Sequence, residues 1–378
     1  MPATKTKTPT LTIPQRALNE AITAVMPAIS SKPNQPILTN LKIDINKGAI
    51  RFTAFDGSMA IKSAVDFDAD IPSQSFCIPA KYAADIVGTL RGELDLSIEE
   101  SCLLIKSGKS KYKIPRQSSD DYPALINDDA IQAFSLTGES FRNLLSLKAL
   151  SSEDESKQVL CGVCLSFAGH TAQSQATDGH RLGAFDVNLP YPVDSSTSFV
   201  LPSKVAAECL KLCRDESSIE IFIHPHDAVI SIDDTCTIQS RLLVGHYPNV
   251  LQLITLAGQS PNTATLDRRL LLDALKRISV VAEQHSKDKL TRFEFSNKEC
   301  IITADGINHD EGLEAVECNY SGDSLVISFK AHYMIAVLGL IQCNRVSIRM
   351  DKAVSPTLFT GDSDDSLRCV IAPVGVRG

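Results

Sequence analysis

The chain has no tryptophan, only seven tyrosines, and no uninterrupted run of about 18 apolar residues. The last absence excludes a membrane-spanning helix. The first removes the ring most suited to a stacking platform for single-stranded nucleic acid, and no aromatic residues interleave with basic ones to replace it. The opening segment, residues 1–10, is Lys/Thr-rich without an apolar centre, so it reads as a disordered lead-in and not as a secretory signal. There is no excess of basic residues either: 37 Lys and Arg face 45 Asp and Glu, a net charge of −8, which opposes a uniformly basic nucleic-acid binder. Zinc-finger, helix-turn-helix and RNA-recognition signatures are missing. The 11 cysteines are scattered singly and odd in number, as buried thiols in a reducing compartment are, which places the chain in the cytoplasm. With 43% hydrophobic and 22% charged residues it is globular, and 378 residues are too many for one core.

What the sequence does have is internal repetition. Ile78-Pro79-Ala80-Lys81, Leu201-Pro202-Ser203-Lys204 and Ile327-Ser328-Phe329-Lys330 each open an apolar pattern of helical spacing. Asp-Gly recurs in step at Asp56-Gly57, Asp178-Gly179 and Asp305-Gly306, each after a strand-like run. A further amphipathic segment precedes each, from Leu11, Ser135 and Ala264. One period of roughly 125 residues therefore accounts for the chain. The expected domains are 11–130, 131–259 and 260–378, each an antiparallel sheet with two helices, in the α+β class. Pro14 suits a first helical turn, and Thr265 to Asp267 offer capping side chains.

The charge is unevenly placed. The six repeated helices, taken as 14–30, 80–91, 138–149, 203–214, 267–282 and 329–341, hold thirteen basic and six acidic residues, so everything else carries −15. Helices gathered on one side of the sheets would make a basic face on an acidic body. Such a face holds duplex phosphates without reading bases.

Other chemistry is poorly supported. Ser107-Gly108-Lys109-Ser110 resembles the end of a phosphate-binding loop, but a strand pattern follows where a helix is required. Cys161 and Cys164 have metal spacing without a second pair. His224-Pro225-His226 reads as a surface turn, and Asp362, Asp364 and Asp365 as a solvated hairpin tip. Asp178 and His180 form an acid–base pair without a nucleophile, and the recurrence of Asp-Gly points to a turn that needs glycine. No cofactor or metal is expected.

At Ala176-Thr177-Asp178-Gly179-His180-Arg181-Leu182 the chain resembles the bacterial DNA sliding clamps, the beta subunits of DNA polymerase III holoenzymes. The threefold repeat, Leu201 to Lys204, Gln35 to Leu38 and Tyr247-Pro248 match in order, from about residue 11 to 378. The resemblance implies a head-to-tail homodimeric ring with helices around duplex DNA. It implies a non-enzymatic processivity factor that tethers the replicative polymerase, the clamp loader, and other polymerases and repair proteins carrying clamp-binding motifs. On it, Lys32, Arg16, Lys81, Arg142, Lys148, Lys204, Lys211, Arg269, Lys276 and Lys330 are expected to face DNA, although Ser151 to Ser156 is acidic for such a position. Leu160, Thr177, Gly179, His180, Arg181, Leu182, Pro248, Val370, Ala372, Pro373 and Val374 match the pocket for partner peptides. Ala372 and Gly375 replace a thioether and an arginine of the family pattern, Pro356 falls near a family serine, and Leu251-Gln252 replaces a basic stretch, so an altered motif preference is expected. Lys109, Lys111 and Tyr112 match one side of the subunit interface, and Val280, Val281, Asp310 and Glu311 the other. The alternative readings are a DNA-processing enzyme on a triplicated scaffold, and a protein scaffold that does not encircle DNA.

Overall fold

The computed structural model describes residues 10–375 apart from 47, 70, 127–128, 286–289, 297 and 306–310. The first repeat runs β1 (Thr10–Pro14), α1 (Gln15–Val25), β2 (Asn40–Asn46), β3 (Ala49–Phe55), β4 (Met59–Asp66), β5 (Gln74–Pro79), α2 (Ala80–Thr89), β6 (Glu93–Ile98), β7 (Cys102–Ser107) and β8 (Ser110–Pro115). Next come β9 (Gln132–Thr137), α3 (Gly138–Ser146), the long strands β10 (Gly162–Thr177) and β11 (Arg181–Pro202), α4 (Ser203–Leu212), β12 (Ser218–Ile223), β13 (Asp227–Ile232), β14 (Cys236–Arg241) and α5 (Val250–Gly258). The last third holds β15 (Asn262–Asp267), α6 (Arg268–His285), β16 (Leu290–Phe295), β17 (Glu299–Asp305), β18 (Glu311–Ser321), β19 (Leu325–Lys330), α7 (Ala331–Leu340), β20 (Arg345–Met350), β21 (Thr357–Gly361) and β22 (Leu367–Ile371).

Two compact units result. One comprises residues 1–139 and 211–242, the other 140–210 and 243–378. The first holds a four-stranded sheet, β1-β6-β7-β8, and an eight-stranded one, β5-β2-β3-β4-β14-β13-β12-β9. The second is built on a ten-stranded sheet, β10-β11-β22-β21-β20-β15-β18-β17-β16-β19. Every pairing is antiparallel. The sheets do not stop at the repeats. β4 bonds to β14, with Ile61 opposite Ile238, and β11 bonds to β22, with Leu182 opposite Val370.

Each repeat contributes a helix pair whose apolar stripe is buried. Leu18, Ala21, Ile22 and Val25 of α1 follow the three-and-four spacing of one helix face, as do Leu271, Ala274, Leu275 and Ile278 of α6. Each such leucine or isoleucine contributes about 1.5–3 kcal/mol when removed from water. Pro14 and Pro79 are helix N-caps, just outside the first turn. A carboxylate oxygen of Asp267 accepts the Leu270 N–H at 2.9 Å and caps α6, while Thr265 lies in β15.

Several sequence-based expectations shift. α2 and α4 start at Ala80 and Ser203, so Lys81 and Lys204 take their second positions, but α7 starts at Ala331. Lys330 is thus the N-cap, equivalent to Pro79 and Pro202, and His332 occupies the helix position of the other two lysines. α5 has no counterpart among the six helices expected from the sequence. Gly108 and Lys109 form a hairpin turn between β7 and β8, Gly108 at φ +56, and no phosphate cradle. His224 is buried, not at the surface, because the β12–β13 hairpin tucks it in; Pro225 and His226 are exposed. The thiols are free, and burial pushes those of Cys77 and Cys236 up to about 11 and that of Cys369 to about 12. No helix among the described residues is long and apolar enough to cross a membrane.

Candidate functional site

The turn between β10 and β11 is built by its aspartate. Asp178 accepts the N–H groups of His180 and Arg181 at 2.8 and 2.9 Å on one carboxylate oxygen and Arg181 Nε at 2.9 Å on the other. Gly179 sits at φ +94, where a Cβ is strained, and Thr177 Oγ1 donates to the Arg181 carbonyl at 2.8 Å. Asp56 does the same in the first repeat, accepting from Ser58 and Met59, with Gly57 at φ +100. The carboxylate of Asp178 is therefore engaged in holding a turn and its arginine, and the acid–base reading lapses. Gly306 of the third copy lies outside the described residues.

The turn presents Arg181 to α7. The guanidinium stands 4.9 Å from the centroid of the Tyr333 ring, and the His180 ring stacks on the same ring at 6.0 Å. Lys330 Nζ lies 5.6 Å from that centroid. Burial, then the Asp178 charge, raises the Tyr333 phenol above its ordinary pKa, and Arg181 opposes this. Tyr333 was missed by sequence reasoning, since KAHYM reads only as helix.

Beside the turn is a small apolar floor. Leu182, Ala184, Val250, Ile254, Ala257, Leu358 and Val370 form one buried cluster, against which Tyr247 and Leu251 pack. Tyr247 Oη accepts the Thr177 N–H at 3.1 Å, which fixes the loop before α5 to the end of β10. The C-terminal segment closes one side: the Ala372 N–H donates to the His180 carbonyl and the Val374 N–H to the Ser328 carbonyl, both at 2.9 Å. A cavity of 520 Å³ adjoins it, lined by Ser328, Val354, Val374 and Gly375 among others. Of the expected pocket residues, Thr177, Gly179 to Leu182, Val370, Ala372, Pro373 and Val374 are thus drawn together around the turn and the tail. Pro248 is exposed ahead of α5. Leu160 is half-buried at the end of a 3-10 turn and lies outside the Leu182 cluster.

The basic residues divide. Lys32, Arg16, Lys81, Lys204, Lys211, Arg269 and Lys276 are exposed, and Lys148 is half-exposed. Arg16 also pairs with Glu20 at 2.8 Å. Arg142 and Lys330 do not fit the expectation of free DNA-facing charge. Arg142 donates to the Leu210 carbonyl at 2.8 Å, and Lys330, displaced to a helix N-cap, sits with Tyr333. The acidic residues at 153–155 start the 3-10 turn Glu155–Leu160, with Asp154 accepting the Ser156 N–H at 3.0 Å.

Among the unpaired strand edges of the described residues, two carry the residues expected at the subunit interface. β8 ends its sheet, carrying exposed Lys111 and Lys113 beside half-buried Tyr112, with exposed Lys109 in the preceding turn. β18 bonds to β17 along Glu311–Glu317 but to β15 only from Cys318 to Ser321, and no other described strand covers the remainder. Glu311 is exposed there, as are Leu313 (69%) and, on α6, Val280 (55%). Val281 is half-buried, and Asp310 lies outside the described residues. Among the described residues no group of three metal-capable side chains occurs.

Comparison with known proteins assigns every third of the chain. Models of the N-terminal, central and C-terminal domains of the DNA polymerase III beta subunit match residues 10–126, 135–249 and 257–375. The chain is 28% identical over 374 residues to the beta sliding clamp of Synechococcus elongatus and 25% identical over 370 residues to that of Haemophilus influenzae; each alignment covers 96% of this chain and 98% of the relative. Its fold matches a sliding clamp of Pseudomonas aeruginosa bound to griselimycin, with a TM-score of 0.92 at 23% identity, covering 98% of this chain and all of the other. The DNA polymerase sliding clamp of Bacillus subtilis matches with a TM-score of 0.90 at 23% identity and the same coverage.

Proposed function

The chain belongs to the DNA polymerase III beta subunit family, and from that premise we propose that two copies close head to tail around duplex DNA. It is a sliding clamp, a non-catalytic processivity subunit of a DNA polymerase, built of three clamp domains. The observation that carries the ring is the pair of open edges. β8 offers Lys109, Lys111 and Lys113, and β18 offers Glu311 and Glu317, with Tyr112 available to Val280 and Leu313. Two ends of opposite charge on one chain make a heterologous contact that closes by rotation, and the strand edges supply its backbone hydrogen bonds.

Arg16, Lys32, Lys81, Lys148, Lys204, Lys211, Arg269 and Lys276 then meet the duplex through its phosphates. Contacts of this kind carry no sequence information and weaken steeply with salt, which suits a ring that must slide. The floor of Leu182 and Val370, flanked by Arg181, His180 and Tyr333, takes the short apolar motifs of polymerase, clamp-loader and repair partners. Tyr333 adds an aromatic anchor to that site. A replication subunit with such partners works in the cytoplasm. We take the three domains as 11–130, 131–259 and 260–378.

Loading onto a nicked circle by a clamp loader, followed by linearisation, tests the reading. A closed ring is retained on the circle and lost from the linear DNA. Retention after linearisation, or no loading at all, rejects it.

A further inference from the structure

The eight-stranded sheet carries a cationic cleft on its second face. Ile43, Phe52 and Ile61 of β2, β3 and β4 are buried on one face, so the alternating residues Lys42, Asp44, Arg51, Thr53 and Lys62 share the other. Register sets them side by side. Thr53 pairs with Lys42 on β2 and with Lys62 on β4, and on the next rung Arg51 pairs with Asp44. Paired Cβ atoms lie about 4.5–5.5 Å apart and diagonal ones about 7–8 Å, within reach of long side chains.

The segment after β8 closes over this face. Tyr122 is buried and its hydroxyl donates to the Thr53 carbonyl at 3.4 Å, while Ser119 Oγ donates to Ser75 Oγ at 2.8 Å. Between strap and sheet is a cavity of 340 Å³, lined by Lys42, Arg51, Thr53, Lys62, Tyr122 and Leu125, with Asp44 and two further strap residues. Asp44 is its one carboxylate and lies 3.5 Å from Lys42 Nζ. Three cations against one anion leave a local charge of +2, on a chain whose net charge is −8.

We propose that this cleft binds a phosphate dianion, free or as a phosphate monoester. The local charge matches two negative charges. Cationic donors from three strands surround one volume, and Arg51 adds a fork suited to two oxygens of one phosphate. A carboxylate would leave one cation uncompensated. Burial, then the charges of Arg51 and Lys42, lowers the Lys62 pKa, as happens where like charges are gathered without their counterion. The proposal rests on the strand register and the lining of the cleft, and stands whether or not the chain closes around DNA.

Calorimetric titration of the full-length protein, at constant ionic strength in chloride, tests it with two probes: inorganic phosphate and a nucleoside 5′-monophosphate. One saturable site per chain for either probe supports it. Phosphate alone identifies a free-anion site, and the monophosphate alone a monoester site. Lys62→Gln and Arg51→Gln should each weaken binding about tenfold or more, the loss of one charge-assisted hydrogen bond. Lys62→Gln should melt no lower than the parent, since it removes a crowded charge; Arg51, exposed on the sheet, gives the second variant. Lys298→Gln, exposed beside β17 and outside both the cleft and the DNA-facing set, should titrate as the parent does. No saturation with either probe, unchanged affinity in both cleft variants, or loss of binding in Lys298→Gln overturns the proposal.

Discussion

Arg142 of α3 reaches across to α4 and donates from Nη1 to the carbonyl of Leu210, 2.8 Å away. The same tie recurs in the other helix pairs. Arg268 Nη1 donates to the Leu338 carbonyl at 3.2 Å, and Gln15 Nε2 to the Val87 carbonyl at 2.8 Å. Each acceptor stands two residues before the end of its helix, in the last turn, whose carbonyls have no N–H four residues on within the helix; that of Val87 also accepts the Leu90 N–H at 3.3 Å. A guanidinium there also meets the negative end of the helix dipole. Arg142→Ala should therefore lower the free energy of unfolding by about 1–2 kcal/mol, the worth of one charged hydrogen bond at a half-buried site. Urea denaturation measures it, and a change below a few tenths would show that the tie is ornamental.

Tyr333, in the first turn of α7, meets the turn that carries Arg181. Its substitution by alanine should weaken a fluorescent peptide carrying a clamp-binding motif by tenfold or more in anisotropy, as for an aromatic anchor. The ring is half-buried against the main core of its unit, so the urea midpoint should fall as well, and peptide binding is compared where the variant is still fully folded. Undiminished peptide binding would remove Tyr333 from the site.

Lys109→Glu with Lys111→Glu should convert the dimer to a monomer in sedimentation equilibrium at micromolar concentration. Mixing that variant with one carrying Glu311→Lys and Glu317→Lys should restore a closed heterodimer, since one seam then pairs the reversed charges and the other the native ones. A double variant that stays dimeric would place the seam elsewhere.

Lys62 gives a pH dependence whose sign follows from its depressed pKa. Below the folded-state pKa the lysine is charged in both states, and the fold bears the full cost. Between that value and the ordinary 10.5 the unfolded chain holds more protons, so raising the pH recovers stability. Lys62→Met should thus be more resistant to urea than the parent at pH 7, and the advantage should shrink as the pH nears 10.5. An advantage that grows with pH would contradict the crowding of Lys42, Arg51 and Lys62.

The helix pairs, the Asp-Gly turns and the bias of charge were legible because they depend on local spacing. Pro79 and Pro202 mark where two helices begin. Phe329-Lys330 carries no such mark, so the third lysine was aligned as if inside α7, and its place beside Tyr333 was hidden. α5 is apolar almost all round, and VLQLITLAG has no polar face to betray a helical period. Spacing alone did not show the open edges; only the family resemblance pointed to Lys109, Lys111 and Tyr112. Which strand ends a sheet depends on pairings between distant segments, as when Ile61 meets Ile238.

Those long-range ladders make the three repeats inseparable. Excising the first at residue 130 would strip β14 from β4, and removing the third would strip β22 from β11. Each cut would bare a row of amides and carbonyls about five residues long, an invitation to fibrous self-association. A triplicated ancestor, once it had stitched its copies together in this way, could no longer shorten by shedding one of them.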